Sequence, residues 1–237
     1  MTPLFGPLTV TNSGYCSRSD NHAEVVMSTE IFPNNQLYQF GYCAIFAKAI
    51  SPIDLLTRVA GGPVQPTLVS RTQAEIIVAL GEDISEDDLP ELDIDELHSV
   101  GLLQDDGPLL RAGTHGDWSF VIEPEGPYLA NDEVLKTVSH DTTALSVRQS
   151  DSGSSWISYA ENGEILSSFD PLFPGNDYGK QPQVLEQLTG HLEAISHGER
   201  YDSFPNALRK IQKELHCTVP QEADAGPLQA IRIAGGY

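Results

Sequence analysis

Residues 155–169 have the sequence SWISYAENGEILSSF, and this stretch decides the fold class. Two runs of apolar, aromatic and small polar residues flank Asn162-Gly163, a dipeptide whose residues both accept the positive φ angles of a two-residue turn. Runs of this kind on either side of such a turn predict a β-hairpin. We therefore expect an antiparallel sheet at the centre of the fold.

The hairpin closes a β-rich region that begins at residue 109. Within this region, serine-rich SDSGSS at 150–155 predicts a second hairpin turn. Short runs with β-branched or aromatic residues predict the other strands: LLRAGTH (109–115), DWSFVIEP (117–124) and TALSVRQS (143–150). A short helix is expected at 131–138 and a last strand at 229–234.

Further elements are predicted on both sides of this region. Residues 37–49 are rich enough in aromatic residues for a buried strand, and Ser51-Pro52 then starts a helix, because serine caps a first turn and proline fits its first position. A second helix is expected at 71–80. Apolar side chains at three- and four-residue spacing predict two amphipathic helices at 182–196 and 203–216.

Together these elements predict an α+β fold. A central, mostly antiparallel sheet is expected to carry an N-terminal helix pair and two C-terminal helices packed on it. Residues 37–237 form a single domain in this prediction, with an acidic insert at 82–106. Residues 1–36 are expected to form a loop or an edge strand.

The charge balance limits the classes of partner. The chain has 13 Lys and Arg residues against 34 Asp and Glu residues, which gives a formal net charge of −21. This charge opposes direct binding to nucleic acid and to anionic membranes, so the expected partner is a protein with a basic surface. The sequence does not indicate an oligomeric state.

The cysteines and the N-terminal residues indicate the compartment. Cys16, Cys43 and Cys217 are odd in number and widely spaced, which is typical of proteins in a reducing cytoplasm. No basic residue precedes Arg18, and no apolar run has the length of a membrane span. We expect a cytoplasmic protein.

Residues 82–106 are the most acidic part of the chain, with eleven Asp and Glu residues and no Lys or Arg. Because blocks of like charge stay solvated, we expect this insert to lie outside the regular core. The other interpretations are a docking segment for a basic partner, a mimic of the nucleic-acid backbone and a weak calcium site. No metal is expected, because the glycine of a calcium-binding loop is missing. The candidate partner-binding residues are Glu86, Asp87, Asp88 and Asp93.

Motifs of the common enzyme classes are missing. The sequence has no glycine-rich phosphate loop, no His-Glu-x-x-His and no Gly-x-Ser-x-Gly, and its seven histidines lack metal-ligand spacing. No cofactor is expected. A Cys-His nucleophile pair stays open, because its members need only be close in space. The sequence favours a non-catalytic protein without excluding an enzyme.

Two stretches of the chain resemble a known family. They are GDWSFVIEPEG at 116–126 and SYAENGEILSSFDPLFP at 158–174, and residues 41–59 also resemble the N-terminal part of that family. The family is uncharacterised, mostly actinobacterial, and catalogued as a domain of unknown function. The resemblance covers roughly residues 38–215, apart from the acidic insert. It implies a bacterial origin and a single domain, and it implies no mechanism.

Glu123 and Asp170 each stand directly before a proline at the end of a β run. Carboxylates at such positions usually serve turn geometry, and this is the interpretation that we favour. The alternative is a catalytic pair, since two carboxylates about 5 to 9 Å apart are the arrangement that glycosidases use. That alternative requires the two side chains to converge in the folded chain.

The leading hypothesis is a non-catalytic, acidic interaction protein of the bacterial cytoplasm, such as an immunity protein or another defence component. A hydrolase that uses a carboxylate pair and an acidic mimic of DNA are the alternatives. Trp118 begins an alternating run, so we expect its ring to anchor the core rather than to stack on a ligand.

Overall fold

An eight-stranded antiparallel sheet forms the centre of the described part of the chain. The structure is a computed structural model that describes residues 36–104, 107–199 and 202–235. In chain order the strands are β1 (Gly41–Lys48), β2 (Thr67–Val69), β3 (Leu109–His115), β4 (Trp118–Pro124), β5 (Thr143–Ser150), β6 (Ser155–Glu161), β7 (Glu164–Phe169) and β8 (Leu228–Arg232). Their order across the sheet is β2-β8-β3-β4-β1-β5-β6-β7.

Helices cover both faces of this sheet. In chain order they are α1 (Pro52–Ala60), α2 (Arg71–Leu80), α3 (Ile94–Ser99), α4 (Asp132–Val138), α5 (Val184–Thr189), α6 (His191–Ser196), α7 (Ser203–Leu215) and α8 (Gln221–Ala225). The apolar side chains of α1 and α4 join one core, on what we call the α1/α4 face, and those of the other helices join a second core on the opposite face. Among the described residues, no helix combines the length and the apolar character that crossing a membrane requires.

The α+β class and the antiparallel sheet predicted from the sequence are confirmed. The turn between β6 and β7 places Asn162 at φ 52° and Gly163 at φ 81°, the left-handed geometry that a two-residue hairpin turn needs. α1 begins at Pro52, where the hydroxyl of Ser51 accepts a hydrogen bond from the backbone N–H of Asp54. These local signals therefore acted as expected.

The structure adds two details to the expected helix arrangement. The N-terminal helices α1 and α2 pack on opposite faces of the sheet. The helix predicted at 182–196 is divided into α5 and α6 at Gly190, whose φ of 64° ends the first of them. The prediction for residues 1–36 falls outside the described residues, except at Gln36.

The prediction that residues 82–106 lie outside the core was wrong for the described part of that insert. Five of its aliphatic side chains are buried in the core opposite the α1/α4 face: Ile84, Leu89, Leu97, Leu102 and Leu103. They are interspersed with the carboxylates, so that the segment has an apolar inner side and an acidic outer side. Burying aliphatic groups therefore stabilises a segment whose charges stay in water. Residues 105 and 106 lie outside the described residues.

Candidate functional site

Residues 82–96, which we call the acidic segment, carry the most acidic surface that the structure describes. All nine of its Asp and Glu side chains are exposed. The four candidate partner-binding residues, Glu86, Asp87, Asp88 and Asp93, all belong to this outer side. The structure thus presents them to solvent on one continuous segment.

Two of the four candidates also have a local structural task. Asp88 accepts hydrogen bonds from the backbone N–H and the hydroxyl of Ser85, at 3.0 and 2.6 Å, and these bonds lower the pKa of its carboxyl. Asp93 caps α3 by accepting a bond of 3.1 Å from the backbone N–H of Glu96. Glu86 and Asp87 have no such bond within the described part of the chain, so they are fully available to a partner.

The acidic segment encloses an open groove of about 520 Å³, which we call the acidic groove. Carboxylates and aliphatic side chains share its walls: Glu86, Pro90, Glu91, Leu92, Asp93, Ile94 and Asp95. None of these carboxylates forms a salt bridge with a described residue. No group of three or more His, Cys, Asp and Glu residues able to hold a metal ion lies within residues 36–104, 107–199 and 202–235. The groove therefore combines unpaired negative charge with apolar contact area.

Glu123 lies at the end of β4 with no exposed surface. Its two carboxylate oxygens accept hydrogen bonds from the backbone N–H groups of Tyr128 and Leu129, at 3.0 and 2.6 Å. Burial raises the pKa of Glu123 from 4.5 to about 7, although both hydrogen bonds and the charge of Arg148 act in the opposite direction. The side chain holds the loop that connects β4 to α4.

The structure places Asp170 far from Glu123. Asp170 follows β7, where its carboxylate accepts a hydrogen bond of 2.8 Å from the backbone N–H of Leu172. β1, β5 and β6 lie between β4 and β7, so four inter-strand spacings of about 4.8 Å put the two positions about 19 Å apart. Each carboxylate caps its own turn, and the two do not form a pair.

The raised pKa of Glu123 makes stability depend on pH. A carboxyl that holds its proton more tightly when folded stabilises the native state fully below pH 4.5, and this contribution is lost as the pH rises to about 7. At about 1.4 kcal/mol per pH unit, the loss is about 3 kcal/mol. The Glu123→Gln variant cannot titrate at this position. Between pH 4.5 and about 7, its free energy of unfolding should therefore fall less than that of the wild type, and the difference should be about 3 kcal/mol.

Urea unfolding followed by circular dichroism at several pH values measures this difference. Glu199→Gln is the matched control, because Glu199 is exposed and lies between α6 and α7, which pack on the opposite face of the sheet. The control should keep the pH dependence of the wild type. Equal pH dependence in the two variants would contradict the assigned role of Glu123.

A row of side chains on the α1/α4 face was not predicted from the sequence. Cys43 of β1 lies opposite both Glu123 of β4 and Arg148 of β5, and Arg148 lies opposite Trp156 of β6. Side chains directly opposite each other project from the same face of a sheet. From the sequence, alternation predicts only that Ala144, Ser146 and Arg148 lie on the same face of β5. Which residues of the neighbouring strands lie beside them depends on strand register.

A small cavity of about 50 Å³, which we call the β5–β6 cavity, lies where this row meets the start of α4. Its lining residues are Leu129, Ala130, Asp132, Leu135, Ser146, Arg148, Trp156 and Ser158. The indole N–H of Trp156 donates to the hydroxyl of Ser168 at 2.7 Å, and that hydroxyl is 2.6 Å from the hydroxyl of Ser158. These bonds hold Trp156 and Ser158 in place beside Arg148.

Arg111 of β3, which is fully buried, has a structural role. The guanidinium of Arg111 is 3.0 Å from the carboxylate of Asp224 and donates further hydrogen bonds to the backbone carbonyls of Val69, Asp224 and Gly226. Both side chains of the pair are 1% exposed. A buried ion pair is tolerated when its donors are satisfied in this way, so Arg111 offers nothing to a ligand.

A family of unknown function, DUF6461, matches residues 32–203 of the chain. This range covers well over half of the 237 residues. The chain belongs to this family. The family range includes both the acidic segment and every residue that lines the β5–β6 cavity. The chain matches no curated protein and no solved structure.

Proposed function

We propose that this member of the family is a non-catalytic binding protein of the bacterial cytoplasm that holds a protein partner with a basic surface. An immunity protein or another defence component performs a task of this kind. The observation that carries the proposal is the acidic groove, whose exposed carboxylates have no cationic partner among the described residues. Lysine and arginine side chains of a partner would supply the positive charge that these carboxylates lack within the described residues.

The way in which the acidic segment is anchored supports binding. Its buried aliphatic side chains fix the segment on the core, and the bonds of Asp88 and Asp93 fix its local geometry. A surface that is already ordered loses little conformational entropy when a partner binds. The net charge of −21 also attracts a basic partner over the screening length, which accelerates encounter.

The chemistry of the buried groups favours binding over catalysis. Burial raises the pKa values of the Cys43 and Cys217 thiols to about 12, so both are protonated at neutral pH and are poor nucleophiles. The buried carboxylate of Glu123 is occupied by two backbone N–H groups. None of these three groups is available for attack on a substrate.

Neutralising the acidic groove should slow association with the partner while leaving the fold intact. The test variant combines four changes at groove and segment carboxylates that cap nothing: Glu86→Gln, Asp87→Asn, Glu91→Gln and Asp95→Asn. The association rate should fall several-fold, because charges at the rim of an interface act on encounter rates. Surface plasmon resonance at two salt concentrations, with the purified partner from host cells, measures the rate.

A control variant removes the same charge elsewhere. It combines Asp117→Asn, Asp151→Asn, Glu161→Gln and Glu199→Gln, which are all at exposed positions outside the acidic segment. The control should associate at close to the wild-type rate. If the two variants behave alike, or if salt does not change the rate, the partner binds elsewhere and the acidic groove is not its docking site.

A further inference from the structure

We propose that the β5–β6 cavity binds the carboxylate group of a small organic acid, with Arg148 as its cationic partner. The cavity lies on the α1/α4 face of the sheet. The acidic segment packs on the opposite face, so the two sites are separate. A carboxylate site is therefore a property of this protein in addition to the proposed binding of a basic partner.

The guanidinium of Arg148 lacks hydrogen-bond partners among the described residues. Arg148 is half-buried and lines the cavity, and its Nε atom is buried without any hydrogen-bond partner. No hydrogen bond or salt bridge joins the side chain to a described residue, in contrast to Arg111, whose donors are used by the protein. Because no described residue pairs with its Nη groups, the guanidinium has donors left for an acceptor from outside the protein.

The shape of the donor group favours a carboxylate. The Nη groups of a guanidinium donate in a planar fork, and the two oxygens of a planar carboxylate match that spacing. The hydroxyls of Ser146 and Ser158 line the same cavity and supply additional polar contacts. Leu129, Leu135 and Trp156 provide apolar walls for the carbon that bears the carboxylate.

Charge and volume restrict the ligand further. Arg148 is the single cation among the described residues that line the cavity, and the carboxylate of Asp132 also lines it. Asp132 repels any anion in the cavity, and it repels the doubly charged form of phosphate more strongly than a ligand with one negative charge. A buried water needs about 10–15 Å³ of such space, so a cavity of about 50 Å³ has room for a group of a few heavy atoms, such as acetate.

The protein contains its own reporter and its own reference for this site. It has two tryptophans, of which Trp156 lines the cavity and Trp118 lies in the core of the opposite face. The indole N–H of each has a defined partner, Ser168 for Trp156 and the backbone carbonyl of Leu215 for Trp118. The two indole signals in an ¹H–¹⁵N spectrum therefore respond separately.

The experiment is a titration of the full chain with sodium acetate at neutral pH, against sodium chloride at equal ionic strength. Acetate should shift the Trp156 indole signal along a saturating curve with a midpoint in the millimolar range, and the Trp118 signal should stay in place. Arg148→Met should weaken this response by about tenfold or more, because the charge-assisted pair is lost. Arg209→Met is the matched control, since Arg209 is exposed on α7, and it should bind acetate as the wild type does.

Every outcome of the titration either supports or contradicts acetate binding at the β5–β6 cavity. If Arg148→Met fails to fold, as judged by the Trp118 signal, Arg148→Lys replaces it and should also bind acetate more weakly, because lysine lacks the paired donors. Wild-type protein without a saturating Trp156 shift, or an unchanged midpoint in the folded Arg148 variant, would overturn the proposal. Inorganic phosphate in a parallel titration should bind more weakly than acetate, and tighter binding of phosphate would assign the cavity to phosphate instead.

Discussion

Excision of residues 84–103, with a short Gly-Ser bridge in their place, is expected to abolish cooperative unfolding. The excised part contains Ile84, Leu89, Leu97, Leu102 and Leu103, all of which are at most 7% exposed. Truncating one buried leucine or isoleucine typically costs about 2–5 kcal/mol. Losing five such side chains costs about 10–25 kcal/mol, which is comparable to or larger than the total stability of about 5–15 kcal/mol that a domain possesses.

Thermal melts followed by circular dichroism, together with the dispersion of the ¹H spectrum, measure this effect. The variant with Glu86→Gln, Asp87→Asn, Glu91→Gln and Asp95→Asn serves as the control, because it removes charge from the same segment and keeps its buried side chains. The control should melt within a few degrees of the wild type. A cooperative melt of the excised protein near the wild-type temperature would show that the segment is dispensable for the fold.

Replacement of Trp118 by alanine is expected to destabilise the protein by about 3–5 kcal/mol, the usual loss for a buried large aromatic side chain. Trp118 is 3% exposed in the core opposite the α1/α4 face, and its indole N–H donates to the backbone carbonyl of Leu215 at 2.9 Å. The alanine variant loses this bond, which ties β4 to the end of α7, and leaves a cavity between them. Chemical denaturation at constant pH measures the difference.

Trp118→Phe separates the two contributions. Phenylalanine keeps most of the apolar volume and loses the hydrogen bond to Leu215, so this variant should cost about 1 kcal/mol. A Trp118→Ala variant with wild-type stability and a specific loss of binding would instead make Trp118 a ligand-contacting residue. Because the ring is buried in the core, we expect Trp118→Ala to lower stability.

The strongest local signals of the sequence all acted within a few residues of chain. Asn162-Gly163 forms the turn between β6 and β7, and Ser51 caps α1 at Pro52. The predicted limits of α2 agree with Arg71–Leu80, where Ser70 and Gln73 form a capping box. Such signals are readable because the φ angle of a turn, or the donor that a cap satisfies, depends on immediate neighbours.

The acidic insert at residues 82–106 is the part of the fold that composition predicts wrongly. Its charge density predicts a solvated loop, but aliphatic side chains of the insert are buried in the core. The burial of Leu97 and Leu103 depends on packing with helices and strands that are distant in sequence. Composition alone does not contain that packing, because the free energy of burial depends on the core that receives the side chain.

Chain-local chemistry was enough to predict an α+β protein with an antiparallel sheet, the β6–β7 hairpin and a strongly acidic surface. Only folding decided that β8 lies between β2 and β3, that Glu123 and Asp170 stand four strands apart, and that Arg148 lies beside Trp156 at a cavity. The physical reason is strand register, because a shift of one residue moves every side chain to the other face. Register and strand order are set by contacts between distant parts of the chain, and no stretch of sequence contains both partners of such a contact.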